Sequence, residues 1–242
     1  MGLNVLVDYD NVPAALWAPG PVNAVAAICA RLPASVVGSE PQLTVRLYGG
    51  WKTGSVSTHR AQRLIPQLAS GHSYIARPGH EPGAPQIRLV VQLALGPLGA
   101  QTQFETTLAK DRAVRSFRPR IAITGCTQPT ACGMAFLASL THTTPCAAPN
   151  CGMTPQDLLV RDEQKMVDTL IVADMAHAAY VDKDDDIVVV TSDIDIWPGV
   201  LLAIKAGCAV TQIHATPNMR VPASLTNMLP RGVSNYFNEI SL

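Results

Sequence analysis

"DIVVVTSDIDIWPGVLLAIKAGCAVTQIHA", residues 186–215, reads as strand, acid, helix and strand. Ile187 to Val190 form an unbroken β-branched run, the pattern of a strand covered on both faces in a parallel sheet. That run ends in Ser192, Asp193 and Asp195. "DIWPGVLLAIKAGC" has helical patterning and a closing glycine, Gly207, and "AVTQIHA" is a further strand. The N-terminus repeats the plan: "LNVLVDYD", residues 3–10, is a short apolar run ending in Asp8 and Asp10.

Outward from these two stretches the alternation continues. "PVNAVAAICARL", residues 21–32, is Ala-rich and helical, with Pro21 at a suitable first position. "QLTVRLYGG", residues 42–50, is a strand stopped by two glycines. Residues 57–69 have helical spacing that Pro66 should kink or end. Residues 71–85 read as loop and 86–95 as a third strand. Residues 162–181 read as one helix, and 222–240 as a short amphipathic helix with a tail. Strands alternating with helices predict an α/β fold with a mostly parallel sheet flanked by helices. The expectation is one domain over 1–242, with an insertion at about 97–160 where the pattern loses regularity.

Charged residues make up 15% of the chain and cancel to zero net charge. The charged share is low against about 25% in ordinary soluble domains, which leaves room for a protein partner or a second copy. Zero net charge argues against gripping nucleic acid through overall charge. A local basic patch is the exception: "RAVRSFRPR" carries Arg112, Arg115, Arg118 and Arg120, read either as a substrate-binding patch or as a solvated segment. No apolar run reaches the roughly 18 residues of a membrane span, and no signal-peptide pattern precedes Asp8. The expectation is a cytoplasmic protein with no membrane association.

In parallel sheets, ligands sit at the carboxyl ends of strands. Two central strands ending side by side would bring Asp8, Asp193 and Asp195 to one crevice. The helix "KMVDTLIVADM" adds Asp168 in its first turn, while Asp174 reads as a surface residue and Asp10 as a loop bystander. Crowded carboxylates repel unless a cation neutralises them or one stays protonated. Oxygen-only ligands suit Mg²⁺ or Mn²⁺.

The ordered set "VLVDYDNV", "KMVDTLIVADMAHAA" and "DIVVVTSDIDIWPGVLLAIKAGCAV" resembles the NYN branch of PIN-like metal-dependent ribonucleases. The likeness covers residues 3–12 and 164–213, and "VRLYGG" is similar to the family's second strand. It implies a Rossmann-like sheet, a divalent metal and hydrolysis of RNA phosphodiester bonds. By matching position, Asp8 is the first metal ligand with Asn11 as its polar neighbour, Asp168 the helix acid, and Asp193 and Asp195 the strand-end acids. Ser192 stands beside them in contact with substrate. Family members have a small residue between that serine and the first acid; here Ser192 and Asp193 are adjacent, so either Asp193 or Asp195 is the principal ligand.

Two other readings stay open. One is a non-catalytic PIN-like module that binds RNA or a partner. The other is a haloacid-dehalogenase-type phosphatase, whose Asp-x-Asp opening "DYDNV" also resembles, with Asp8 as nucleophile.

Four of the six cysteines cluster as Cys126-x5-Cys132 and Cys146-x4-Cys151, among turn-forming Pro and Gly. Two pairs of soft ligands fit a tetrahedral structural Zn²⁺ site, with His142 able to replace Cys126; reduced thiols are the alternative. Trp51, after the two glycines, is either packed or free to stack on a base.

Overall fold

The computed structural model describes residues 3–70, 73–77, 86–114, 143–184, 186–230 and 232–242. The elements begin with β1 (Leu3–Asp8), α1 (Ala14–Trp17), α2 (Pro21–Cys29), α3 (Ala34–Val37) and β2 (Gln42–Tyr48). A small hairpin, β3 (Lys52–Thr53) and β4 (Val56–Ser57), precedes α4 (His59–Ser70), β5 (Ser73–Ile75) and β6 (Ile87–Leu93). Then come β7 (Leu108–Ala113), α5 (Pro155–Leu158), β8 (Val160–Gln164), α6 (Val167–His177) and β9 (Asp186–Val190). The chain closes with α7 (Trp197–Lys205), β10 (Ala209–His214), α8 (Ala223–Thr226) and β11 (Phe237–Ser241).

Seven strands form one sheet in the order β11-β10-β9-β1-β2-β6-β5. All neighbours pair in parallel except β5 with β6. The fold is therefore α/β with a mostly parallel sheet, compatible with a Rossmann-like arrangement. Two compact units are present: Met1–Leu108 with Gln164–Leu242, which carries the seven-stranded sheet, and Ala109–Glu163. In the second unit, the start of Pro155–Leu158 is capped by Asp157, which accepts from both the backbone and the hydroxyl of Thr154.

Strand alternation explains the two cores. Val5, Val7, Val45, Leu47, Val188 and Val190 point to one face, where Val25 and Ile28 of α2 and Leu64 of α4 cover them. Leu6, Ile187 and Val189 point to the other, against Leu170, Ile171 and Met175 of α6 and Val200 and Ile204 of α7. β1 and β9 are thus buried on both sides, which is why their sequences are continuously apolar. Each such side chain contributes about 1.5–3 kcal/mol on burial.

The crossovers place the site. From β1 the chain passes to its neighbour β2 on one side; from β9 it passes to β10 on the other. β1 and β9 are themselves adjacent. The carboxyl ends of this central pair flank the point where the strand order reverses, and crevices form at such points.

Several sequence expectations are corrected. Residues Asp162–Gln164 belong to β8, so α6 begins only at Val167. α4 runs through Pro66 to Ser70 rather than ending at the proline. Ser73–Ile75 is an edge strand within the expected loop. The C-terminal tail carries β11, which adds a parallel strand beyond β10. No helix among the described residues is long and apolar enough to cross a membrane.

Candidate metal centre

β1 ends in Asp8, and the hydrogen bonds around it define the crevice floor. Its Oδ2 accepts from Asn11 Nδ2 at 2.6 Å and from Thr191 Oγ1 at 3.0 Å; its Oδ1 accepts from the Asn11 backbone at 3.4 Å. Asp8 is only 2% exposed. Burial pushes its carboxyl up to about 6; the bonds from Asn11 and Thr191 hold it down in part, and the nearby Asp168 raises it further.

Thr191 links the two strands. Its hydroxyl donates to Asp8 and accepts from the Asp193 backbone at 3.1 Å, and its carbonyl accepts from Gln212 Nε2 at 3.1 Å. Asp193 Oδ1 then accepts from the Asp195 backbone at 2.9 Å. This local turn presents both carboxylates before α7 starts. A polar residue directly after the apolar run of β9 was the signal in the sequence for Thr191.

Asp168 arrives from the other side, in the first turn of α6. There the helix dipole favours an anion. The residue before the helix, Met166, holds a left-handed backbone with φ 65°, a conformation that costs a non-glycine residue about 1–3 kcal/mol and is often stored at functional sites. α6 and α7 approach closely at Gly199, where a Cβ would lie 2.9 Å from Met175 Sδ. The glycine lets the start of α7 pack against Val172 and Met175 of α6.

Asp168, Asp193 and Asp195 converge: each offers a carboxylate oxygen within 4.8 Å of the others. Asp168 and Asp193 are half-buried and Asp195 is exposed. Burial raises the Asp168 carboxyl above the usual range, and repulsion from Asp193 and then Asp195 adds to it. Among the described residues, the group offers hard oxygen ligands without His or Cys, a donor set that fits Mg²⁺ or Mn²⁺. Asp8 lies outside this trio, with Oδ2 accepting from Asn11 and Thr191.

The other expected site residues fall elsewhere. Ser192 is buried, and its Oγ accepts from the Thr216 backbone at 2.9 Å. Asp10 is no bystander: it accepts from Arg60 and from Gln164. Asp174 is wholly buried rather than on the surface. It pairs with Arg46 at 3.0 Å and accepts from Tyr48 Oη at 2.6 Å and from the Leu98 backbone at 2.7 Å. Burial, and then the Asp174 charge, push the Tyr48 phenol well above its ordinary range. Trp51 is fully buried, its Nε1 donating to Leu47 O, so it packs and does not stack on a ligand.

In the smaller unit, Arg112 is exposed on β7, while Arg115, Arg118 and Arg120 lie outside the described residues. So do Cys126, Cys132 and His142. Cys146 and Cys151 are both free thiols. The Cys151 backbone turns back to Ala148 O at 3.1 Å, and the Cys146 backbone donates to Met153 O at 2.8 Å. Hydrogen bonds from the Ala148 backbone and then from Cys151 lower the Cys146 thiol.

No match to this chain is found among models of known families, characterised proteins or solved structures.

Proposed function

We propose that the chain is a divalent-metal-dependent nuclease that hydrolyses RNA phosphodiester bonds, built as a PIN-like domain of the NYN kind that its ordered acidic motifs resemble. The observation that carries this reading is the convergence of Asp168, Asp193 and Asp195 at the switch point between β1 and β9. Three carboxylates held that close store repulsion that a hard cation relieves. Mg²⁺ or Mn²⁺, when bound, supplies an activated water and offsets charge on the phosphoryl oxygens.

The protein's own part is positioning. Asp168, in the first turn of α6, and Asp193 and Asp195, in the turn before α7, would hold the cation. Thr191 fixes the Asp193 turn against Asp8. While the crevice holds no cation, burial raises the Asp8 carboxyl to about 6. Its Oδ1, weakly engaged by Asn11, is the atom able to hold a proton. The phosphatase reading gains no support from this geometry. A nucleophilic carboxylate must reach phosphorus, whereas Asp8 is buried with Oδ2 doubly engaged.

Cleavage of single-stranded RNA is expected with Mn²⁺ or Mg²⁺ and is lost in excess chelator. Asp168→Asn and Asp193→Asn are expected to slow it about 100-fold or more. Folded variants that cut at the wild-type rate would sink the proposal. RNA that is bound but never cut would instead favour a binding module.

A further inference from the structure

Past the carboxyl end of β1, among the residues packed on the α2 and α4 side of the sheet, lies a second feature that the metal chemistry does not use. Tyr9, the residue after Asp8, stacks on Trp17 with ring centroids 4.3 Å apart and planes 18° from parallel. Trp17 Nε1 donates to Tyr9 O at 3.2 Å, which locks the pair. Trp51 meets Tyr9 edge-on from the core. Arg60 of α4 lies over the Tyr9 ring at 5.4 Å and is tied to Asp10. One turn further along, Arg63 is exposed, and no carboxylate among the described residues pairs with it. α4 carries His59, Arg60 and Arg63 and no acidic residue.

These groups border two cavities. A cavity of about 210 Å³ is lined by Tyr9, Trp17, Arg60, Arg63, Leu64 and Gln67. A second, of about 400 Å³, opens between Trp17, Tyr9, Arg60, Asp10 and Val12. The first is smaller than the roughly 300–1,000 Å³ that drug-sized ligands need. It suits one planar ring, with any attached charged group left outside.

We propose that Trp17, braced from behind by Tyr9, and Arg63 form a nucleotide subsite in which the outer face of Trp17 holds one unpaired base of a single-stranded RNA, with its phosphate on Arg63. The inference rests on the nuclease reading for its substrate class, and it names how that substrate is oriented. Aromatic faces bind bases of any sequence by stacking, and an unpaired guanidinium on an otherwise acid-free helix offers charge to the phosphate. The same β1 end that supplies Asp8 also supplies Tyr9, the next residue along the chain. A duplex keeps its bases stacked inside and presents no free base. The chain's zero net charge is then no obstacle, because local stacking replaces a broad basic surface.

The test separates binding from cleavage. Anisotropy of a labelled oligoadenylate RNA is titrated with the full chain in excess EDTA, and metal-dependent cleavage of the same RNA is followed independently. Trp17→Ala is expected to weaken binding about tenfold. Arg63→Glu, a change at an exposed helix position that keeps the wild-type melting temperature, is expected to weaken binding and reduce its salt slope by about 0.7. Equal affinity of wild type, Trp17→Ala and Arg63→Glu would overturn the subsite even if cleavage persists, leaving the nuclease standing alone. Affinity lost in both variants, with no cleavage by wild type, would keep the subsite and remove the nuclease. Failure of wild type to bind the RNA at all would overturn the subsite outright.

Discussion

Asp168 and Asp174 stand six residues apart on α6, a spacing that turns them to different faces of the helix. Asp174 is fully buried among complementary groups: the Arg46 guanidinium, the Tyr48 hydroxyl and the Leu98 amide. Asp168 is half-exposed and has two more carboxylates for neighbours. One acid is compensated by the fold. The other is left with a charge that the fold makes worse. A buried charge persists in a stable protein only when it is paired. Carboxylates crowded at a strand-order switch point therefore stand apart from the one that the fold pairs.

The sharpest way to break this comparison is to remove the compensated acid. Asp174→Ala strands Arg46, which is 8% exposed, and leaves the Leu98 amide without its acceptor. A loss of about 3–5 kcal/mol is expected, read as a lower urea midpoint. Arg46 also donates to Gly96 O at 2.6 Å, so the turn after β6 should loosen and show faster amide exchange at Leu98. A melting temperature close to wild type would show that the network is ornamental and that the contrast with Asp168 is empty.

Asp8 lies between the two cases: buried like Asp174, yet near the uncompensated trio. Its folded-state carboxyl titrates at about 6 against an ordinary 3.8. The folded chain therefore binds the extra proton more tightly than the unfolded chain. This contribution to stability is full below about pH 4 and is lost as pH rises through 6. Its size is roughly 2–3 kcal/mol. Asp8→Asn should flatten that fall in a series of melts between pH 4 and 7, whereas an unchanged slope would assign it to other groups. The same proton competes with a cation in the crevice, so Mn²⁺ should raise the melting temperature more at pH 7.5 than at pH 5.

The contrast explains how much could be read in advance. β1, β9, α7 and β10 were legible because burial on both faces leaves continuous apolar runs, and the alternation of strand and helix followed from them. The acids at their ends were legible for the same reason: a carboxylate after such a run is conspicuous. β11 was not, because an edge strand is partly solvated and "FNEIS" carries no continuous apolar signal. Asp174 was misread because its compensation comes from Arg46, Tyr48 and Leu98, which are distant in sequence. Burial of a charge depends on partners that periodicity does not reveal. Asp10 was passed over on the same ground, since Arg60 and Gln164 come from α4 and β8. The Tyr9–Trp17 stack depends on α1 folding back over the end of β1, a contact with no sequence pattern of its own.

The smallest effect isolates the sign of the Asp168 environment. Without metal, Asp168→Asn removes one charge from a repelling trio. Its carboxyl is raised by burial first and by Asp193 and Asp195 next, so its ionised form opposes folding. The group is partly solvated, which holds the gain on neutralising it to a few tenths of a kcal/mol and at most about 1. In EDTA the variant should therefore melt slightly above wild type, opposite in sign to Asp174→Ala on the same helix. Mn²⁺ should reverse the order, because wild type gains stability from a cation that the variant binds poorly. A variant that melts below wild type in EDTA would mean that Asp168 is held by a favourable partner. The two acids of α6 would then differ only in depth.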